Sequence, residues 1–238
     1  MDLPLITSLD EVLLQVQAGF PRKVLFWGER AGEISSYVTG WMAGKGIDVI
    51  VLDGANRFDP YMVSSFAKKA SMSPMSLLKR IRIARAFTCY QMAALIEERL
   101  VSLLKQKREL TQQQKPWVIL LGLITPFLDE DVSEGEVRPL FERSLRKAEG
   151  IAAEGIPFFL FQPSAVSENS PFPPFAKGGR LGNSKRAYLT RRLFQFSNEV
   201  WKISLEDREL KVILEKRVTL TNSLLAGDLG INKLEAQS

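Results

Sequence analysis

The sequence predicts an α/β protein, a doubly wound and mostly parallel sheet with a C-terminal antiparallel hairpin at its edge. Two observations carry this. Short apolar runs of strand length, Lys23 to Trp27, Asp48 to Leu52, Trp117 to Leu121 and Phe158 to Phe161, alternate with longer stretches of helical period. The last two patterned stretches, Glu199 to Leu205 and Glu209 to Glu215, flank the turn EDRE and fit a hairpin.

Element by element, residues 8 to 19 open with a Ser or Asp N-cap and carry Val12, Leu13 and Val16 at helical spacing before Gly19. After the first strand, Ile34 to Lys45 reads as a helix ending at Gly44 or Gly46. The second strand ends in Asp53 and Gly54. A loop follows, and Pro60 suits the first turn of a helix through Lys69. Ser76 to Phe87 reads as a helix breaking into a short strand. Tyr90 to Glu109 carries one apolar face (Met92, Leu95, Ile96, Leu100, Leu103, Leu104) and is the clearest helix. An acidic loop and a helix from about Glu136 to Ala153 separate the last two parallel strands. From Gln162 to Tyr188 the composition turns to Pro, Gly, Ser, Asn and base, which predicts a long loop over 163–188. The reading is one domain over 1–218 and a weakly patterned tail over 219–238.

Composition narrows the chemistry. With 238 residues, 45% hydrophobic and 25% charged, the chain can bury a full core. No run approaches a membrane span, and the N-terminus carries acids where a signal peptide is basic, so no membrane partner and a cytoplasmic location are expected. The single cysteine, Cys89, excludes an intrachain disulfide and reads as a packed thiol. The absence of histidine removes His-dependent triads, His metal sites and the commonest general base. Net charge is +5 and unevenly placed. Pro60 to Ile96 holds six bases (Lys68, Lys69, Lys79, Arg80, Arg82, Arg85) and no acid. Asn169 to Asn198 holds another six (Lys177, Arg180, Lys185, Arg186, Arg191, Arg192) and again no acid. Such polarisation is compatible with a polyanion partner, and equally with solvated faces.

LFWGERAGEISS, Leu25 to Ser36, sits where a phosphate-binding loop would sit but lacks its groups. The motif Gly-x-x-x-x-Gly-Lys-Ser/Thr needs a second glycine for close backbone approach, a lysine for phosphate and a hydroxyl for Mg²⁺. Counted from Gly28, this chain offers Glu33, Ile34 and Ser35; one residue shorter, Gly32 and Glu33 take the glycine and lysine places. Arg30 and Glu33 are close enough in sequence to pair and plug the turn.

In chain order, several fragments resemble the RecA/RadA recombinase family and its KaiC- and RadB-like relatives over about residues 8 to 217. SLDEVL and GFPRKVLFWGE resemble the lead-in to the phosphate loop. VLDGANRFDPY resembles the strand and loop that carry the catalytic glutamate, and IARAFTCYQ the segment before the long helix. WVILLGL lies where the Walker B strand belongs. FFLFQPS resembles the strand before the second DNA-binding loop, and EVWKISLEDRELKVILEKR the closing hairpin. The resemblance implies a RecA-like P-loop NTPase fold. It also implies that the catalytic parts are gone: Ile34 or Glu33 replaces the lysine, Ala55 the water-activating glutamate and Gly122 the Walker B aspartate. Gly28, Gly32, Glu33, Ser35, Asp53 and Gln162 remain as a remnant nucleotide site. Gln162 matches a glutamine that senses nucleotide, yet it also fits the start of a polar loop. Asp53 also fits a turn cap and Ser35 an ordinary helix residue, and these plainer readings are preferred.

The expected function is a catalytically inactive RecA-like accessory in DNA recombination or repair, with no catalytic residue, no metal site and no required cofactor, ATP and Mg²⁺ being disfavoured. Its partners would be DNA, single-stranded by preference, or a RecA-like protein. Alternatives are a module that pairs with an active paralogue without touching DNA, and a residual ATP binder. The DNA-binding candidates are Lys177, Arg180, Lys185 and Arg186, set among glycines, and Arg191 and Arg192 beyond them. NSPFPPFAKGG equally resembles translated repeat sequence, which would make the loop a tolerated insertion. The acids at Asp129, Glu130, Asp131, Glu134 and Glu136 lack calcium-loop spacing and read as a solvated loop.

Overall fold

A computed structural model describes residues 9–19, 23–110, 115–163, 186–206 and 209–218. The first strand β1 (Lys23–Gly28) follows helix α1 (Leu9–Gly19) and leads into α2 (Ala31–Gly44). Next come β2 (Val49–Asp53), α3 (Pro60–Lys69), α4 (Pro74–Leu78) and β3 (Ile81–Arg85). The long helix runs as α5 (Cys89–Ala94), one π turn over Leu95–Arg99, and α6 (Leu100–Leu110). Then follow β4 (Trp117–Leu121), a 3₁₀ turn at Thr125–Leu128, α7 (Glu134–Ala153), β5 (Phe158–Pro163), α8 (Ala187–Phe196), β6 (Glu199–Glu206) and β7 (Glu209–Arg217).

The strands form one seven-stranded sheet in the order β3-β2-β4-β5-β1-β6-β7. Every neighbouring pair is parallel except the hairpin β6–β7, which is antiparallel with a bulge between Val200 and Trp201. The continuous apolar character of β2, β4 and β5 follows from burial on both faces. Leu25, Ile50, Leu52, Val118, Leu120, Phe158 and Leu160 face α5 to α8. Val24, Phe26, Val49, Val51, Ile119, Leu121, Phe159 and Phe161 face α1 to α4. The doubly wound layout and the terminal hairpin are thus present.

The differences from the sequence reading are local. Helix α2 begins at Ala31, three residues before the expected start at Ile34. The stretch around Ser76, by contrast, resolves as expected into a short helix and a strand, α4 and β3, with β3 at the sheet edge. Helix α8 falls in a stretch whose composition alone does not announce it. Leu189, Leu193 and Phe196 recur at helical spacing and are buried against the core, but the basic composition of the region masks that period. The loop expected over 163–188 is therefore flanked by Pro163 in β5 and Ala187 in α8; residues 164–185 and the tail 219–238 lie outside the described residues. Among the described residues no helix is long and apolar enough to cross a membrane.

Candidate functional site

In an open parallel sheet, ligands bind beyond the carboxyl ends of the strands. Here those ends are Gly28 of β1, Asp53 of β2, Leu121 of β4 and Gln162 of β5, and they bring the sequence-predicted remnant together. The turn from β1 to α2 is only Glu29 and Arg30, and α2 has begun at Ala31, before Gly32 and Glu33. Arg30 takes a left-handed φ of 56° and offers no side-chain cap to α2. Its guanidinium instead grips Glu33, the Nε–H donating to Oε2 at 2.9 Å and Nη2 to the same oxygen. Both groups are half exposed. The carboxylate thus stands in the first helical turn, where the helix dipole favours negative charge, and it holds the neighbouring cation.

Gly28 has φ of 125°, and a Cβ there would overlap the carbonyl oxygen of Ile203 and lie 3.1 Å from its carbon. This glycine serves the approach of β6, and Glu29 continues the contact by donating its N–H to Ile203 at 3.2 Å. A Cβ on Gly32 would lie 3.0 Å from Cβ of Arg57, so the Arg57 stem crosses the first turn of α2. Ser35 is fully buried and donates back to the carbonyl of Gly32 at 2.6 Å, while Ser36 accepts from the Asp59 N–H at 2.9 Å. Ser35 therefore behaves as an ordinary helix residue.

Asp53 is fully buried at the end of β2. Its carboxylate accepts from the backbone N–H groups of Ala55 at 3.1 Å, Arg57 at 3.2 Å and Phe58 at 3.0 Å, and Arg85 Nε lies 3.6 Å away. These bonds tie down the loop after β2 and satisfy the buried charge, which matches the turn-cap reading. Gln162 accepts from Ile124 N–H at 3.2 Å and so braces the loop after β4.

The two positions opposite each other across this crevice are Ala55 and Gly122. Gly122 has φ of 63°, and a Cβ on it would overlap Cβ of Ala55 and lie 2.9 Å from its nitrogen. A Cβ on Gly54 would lie 2.5 Å from Cε of Met92 and 2.8 Å from the Gly122 carbonyl oxygen. The carboxyl ends of β2 and β4 are therefore in direct backbone contact, with Gly54 N–H donating to Leu121 at 2.8 Å. No protein-family model matches the sequence, and no curated protein matches it.

The DNA-binding candidates fare unevenly. Lys177, Arg180 and Lys185 lie outside the described residues. Arg186 is engaged within the fold, its guanidinium donating to the carbonyls of Phe127 and Asp129 at 2.5 Å and of Val132 at 2.6 Å. Arg192 makes a two-pronged pair with Glu142, at 2.6 and 2.7 Å, and also reaches Gln195. That pair, helped by the charges of Arg146 and Arg138, holds the Glu142 carboxyl below its usual range. Among the described members of this group, Arg191 alone is exposed. In the acidic stretch, Asp129 accepts from Asp131 N–H at 3.1 Å, and among the described residues no group of three His, Cys, Asp or Glu could hold a metal ion. Burial pushes the Cys89 thiol upward, as expected of a packed side chain. Arg57 and Arg85 escape a sequence-based site because their approach to Gly32 and Asp53 is made across elements and leaves no local spacing to read.

Proposed function

We propose that this chain is a RecA-like protein that has given up nucleotide turnover and works as an accessory in DNA recombination or repair, through DNA or a partner recombinase. The single observation that carries the reading is the contact of Ala55 with Gly122. In the resemblance, these positions hold the base and the metal-supporting aspartate. Here Ala55 occupies the space that a side chain at position 122 would need. The Arg30–Glu33 pair supports it further, because a carboxylate stands where a phosphate clamp needs an ammonium. A rigid fold without its chemistry still offers surfaces, and function then rests on those surfaces.

Two measurements test this. Binding of the full chain to a fluorescent single-stranded oligonucleotide across a salt series is expected to be salt-sensitive; no binding at low salt removes the direct-DNA form. A phosphate-release assay with ATP and Mg²⁺ is expected to stay at background. Turnover that an Asp53→Ala change abolishes would overturn the inactive reading.

A further inference from the structure

The acid-free run from Pro60 to Ile96 folds into consecutive elements, α3, α4, β3 and α5, ending in the first residue of the π turn and its neighbour. Strand β3 ends the sheet, so among the described residues it has a strand on one side only. Val49 N–H donates to Arg80 at 2.9 Å and Ala86 N–H to Asp53 at 3.0 Å. In a parallel ladder alternate residues face the neighbour, so the peptide groups of Ile81, Ile83 and Arg85 point outward along the free edge. Of the six bases in the run, Arg80 pairs with Asp48 and Arg85 with Asp53. Lys68, Lys69, Lys79 and Arg82 are exposed. At the carboxyl end of the strand, Phe87 is 65% exposed and Tyr90 50%, the latter with its hydroxyl donating to Glu136.

Resting on the reading of a DNA-binding accessory, we propose that this edge, rather than the loop at 163–188, is where single-stranded nucleic acid binds. Lys79 and Arg82 would meet backbone phosphates, and bases would stack on Phe87 and Tyr90. Such surfaces combine a track of positive charge with exposed rings on which bases of any sequence lie. Exposed aromatics and exposed cations along one acid-free run of the chain fit that chemistry, with Glu136 at the Tyr90 hydroxyl as the acid that approaches it. A polypeptide strand adding to the edge is the less suited occupant, because a short edge strand carrying Arg82 and Arg85 is blunted against strand addition. From Ile81 to Arg85 the edge extends about 13 Å at the usual strand rise, enough for a few nucleotides.

The test is fluorescence anisotropy of a labelled oligo-dT strand with the full chain, its Lys79→Ala/Arg82→Ala and Phe87→Ala variants, and a Lys177→Ala/Arg180→Ala/Lys185→Ala comparator. All substituted edge side chains are exposed, and thermal unfolding by circular dichroism verifies that each variant folds. The double variant is expected to lower the slope of log affinity against log salt by about 1.4, at about 0.7 for each phosphate left without its cation. Phe87→Ala is expected to weaken binding about 5- to 150-fold. The loop comparator is expected to retain binding that the edge variants lose. Edge variants that bind as the wild type does would overturn the inference while leaving the DNA-binding reading intact. A wild-type chain that binds no oligonucleotide would remove that reading too. Poly-glutamate competing as well as the oligonucleotide at equal charge would also overturn the inference, in favour of an acidic protein partner.

Discussion

Ala55 and Gly122 touch across the carboxyl ends of β2 and β4, and a Cβ added at Gly122 would overlap that of Ala55. Restoring the aspartate that the resemblance places at 122 should therefore damage the fold without restoring chemistry. Gly122→Asp meets both a left-handed backbone, with φ of 63°, and the overlap with Ala55. The expected loss is about 2–4 kcal/mol, combining the cost of a non-glycine residue at positive φ with that of overpacking. Urea unfolding of the variant measures it. An Ala55→Gly/Gly122→Asp pair should recover part of the loss, and phosphate release should remain at background in both. A stable Gly122→Asp protein would show that the strand ends part easily, and the closed crevice would cease to support the inactive reading.

Gly28 makes the corresponding contact on the other side of β1. A Cβ at this position would strike the backbone of Ile203 rather than a flexible side chain, so relief requires β6 to move. Gly28→Ala is expected to cost about 3 kcal/mol or more, from overpacking plus the conformational penalty at φ of 125°. Hydrogen exchange should show the β6–β7 hairpin opening before the rest of the sheet. Unchanged protection in the hairpin would contradict this placement of the strain.

The fold is legible where burial on both sheet faces forces a recognisable composition. WVILL and FFLF are strands because no position along them meets water, and the alternation with amphipathic helices defines the layers. Helix α8 is obscured because Arg191 and Arg192 belong to the same base-rich stretch as the loop before it, although Leu189, Leu193 and Phe196 carry the helical period. The candidate site is legible as a set of substitutions and not as a geometry. Residues 55 and 122 are far apart in the chain, so only the parallel pairing of β2 with β4 brings them into contact. Nor can a sequence show that Arg186 spends its donors on three carbonyls, since a guanidinium in a basic run looks the same whether it faces solvent or the fold.

Asp53 holds the loop between Gly54 and Asp59 in shape. Removing its carboxylate leaves the N–H groups of Ala55, Arg57 and Phe58 without their acceptor and takes from Arg85 its buried counter-charge. Asp53→Ala is expected to destabilise by about 2–4 kcal/mol, because three backbone donors, that of Phe58 buried, lose a charged acceptor, while Arg85 is exposed enough to be solvated. Asp53→Asn keeps one acceptor and should lose less. Chemical denaturation of the two variants gives the comparison; equal losses would point to charge rather than loop bonding as the source.

The Glu142–Arg192 pair joins α7 to α8 and should leave a signature in acid. Glu142 is held below its ordinary carboxyl value first by the hydrogen bonds from Arg192, and then by the charges of Arg192, Arg146 and Arg138, against the opposing effect of burial. Because the folded-state value lies below the unfolded one, the contribution is complete above the unfolded value. It is lost as pH falls through the folded one. Glu142→Gln should therefore lower stability by about 0.2–1 kcal/mol at neutral pH, given that the Arg192 side chain is 40% exposed. The gap between variant and wild type should close as pH falls below the usual glutamate range. Urea midpoints at neutral and acidic pH measure it. A gap that persists in acid would mean that α8 is held by its apolar face, Leu189, Leu193 and Phe196, and that the ion pair adds nothing.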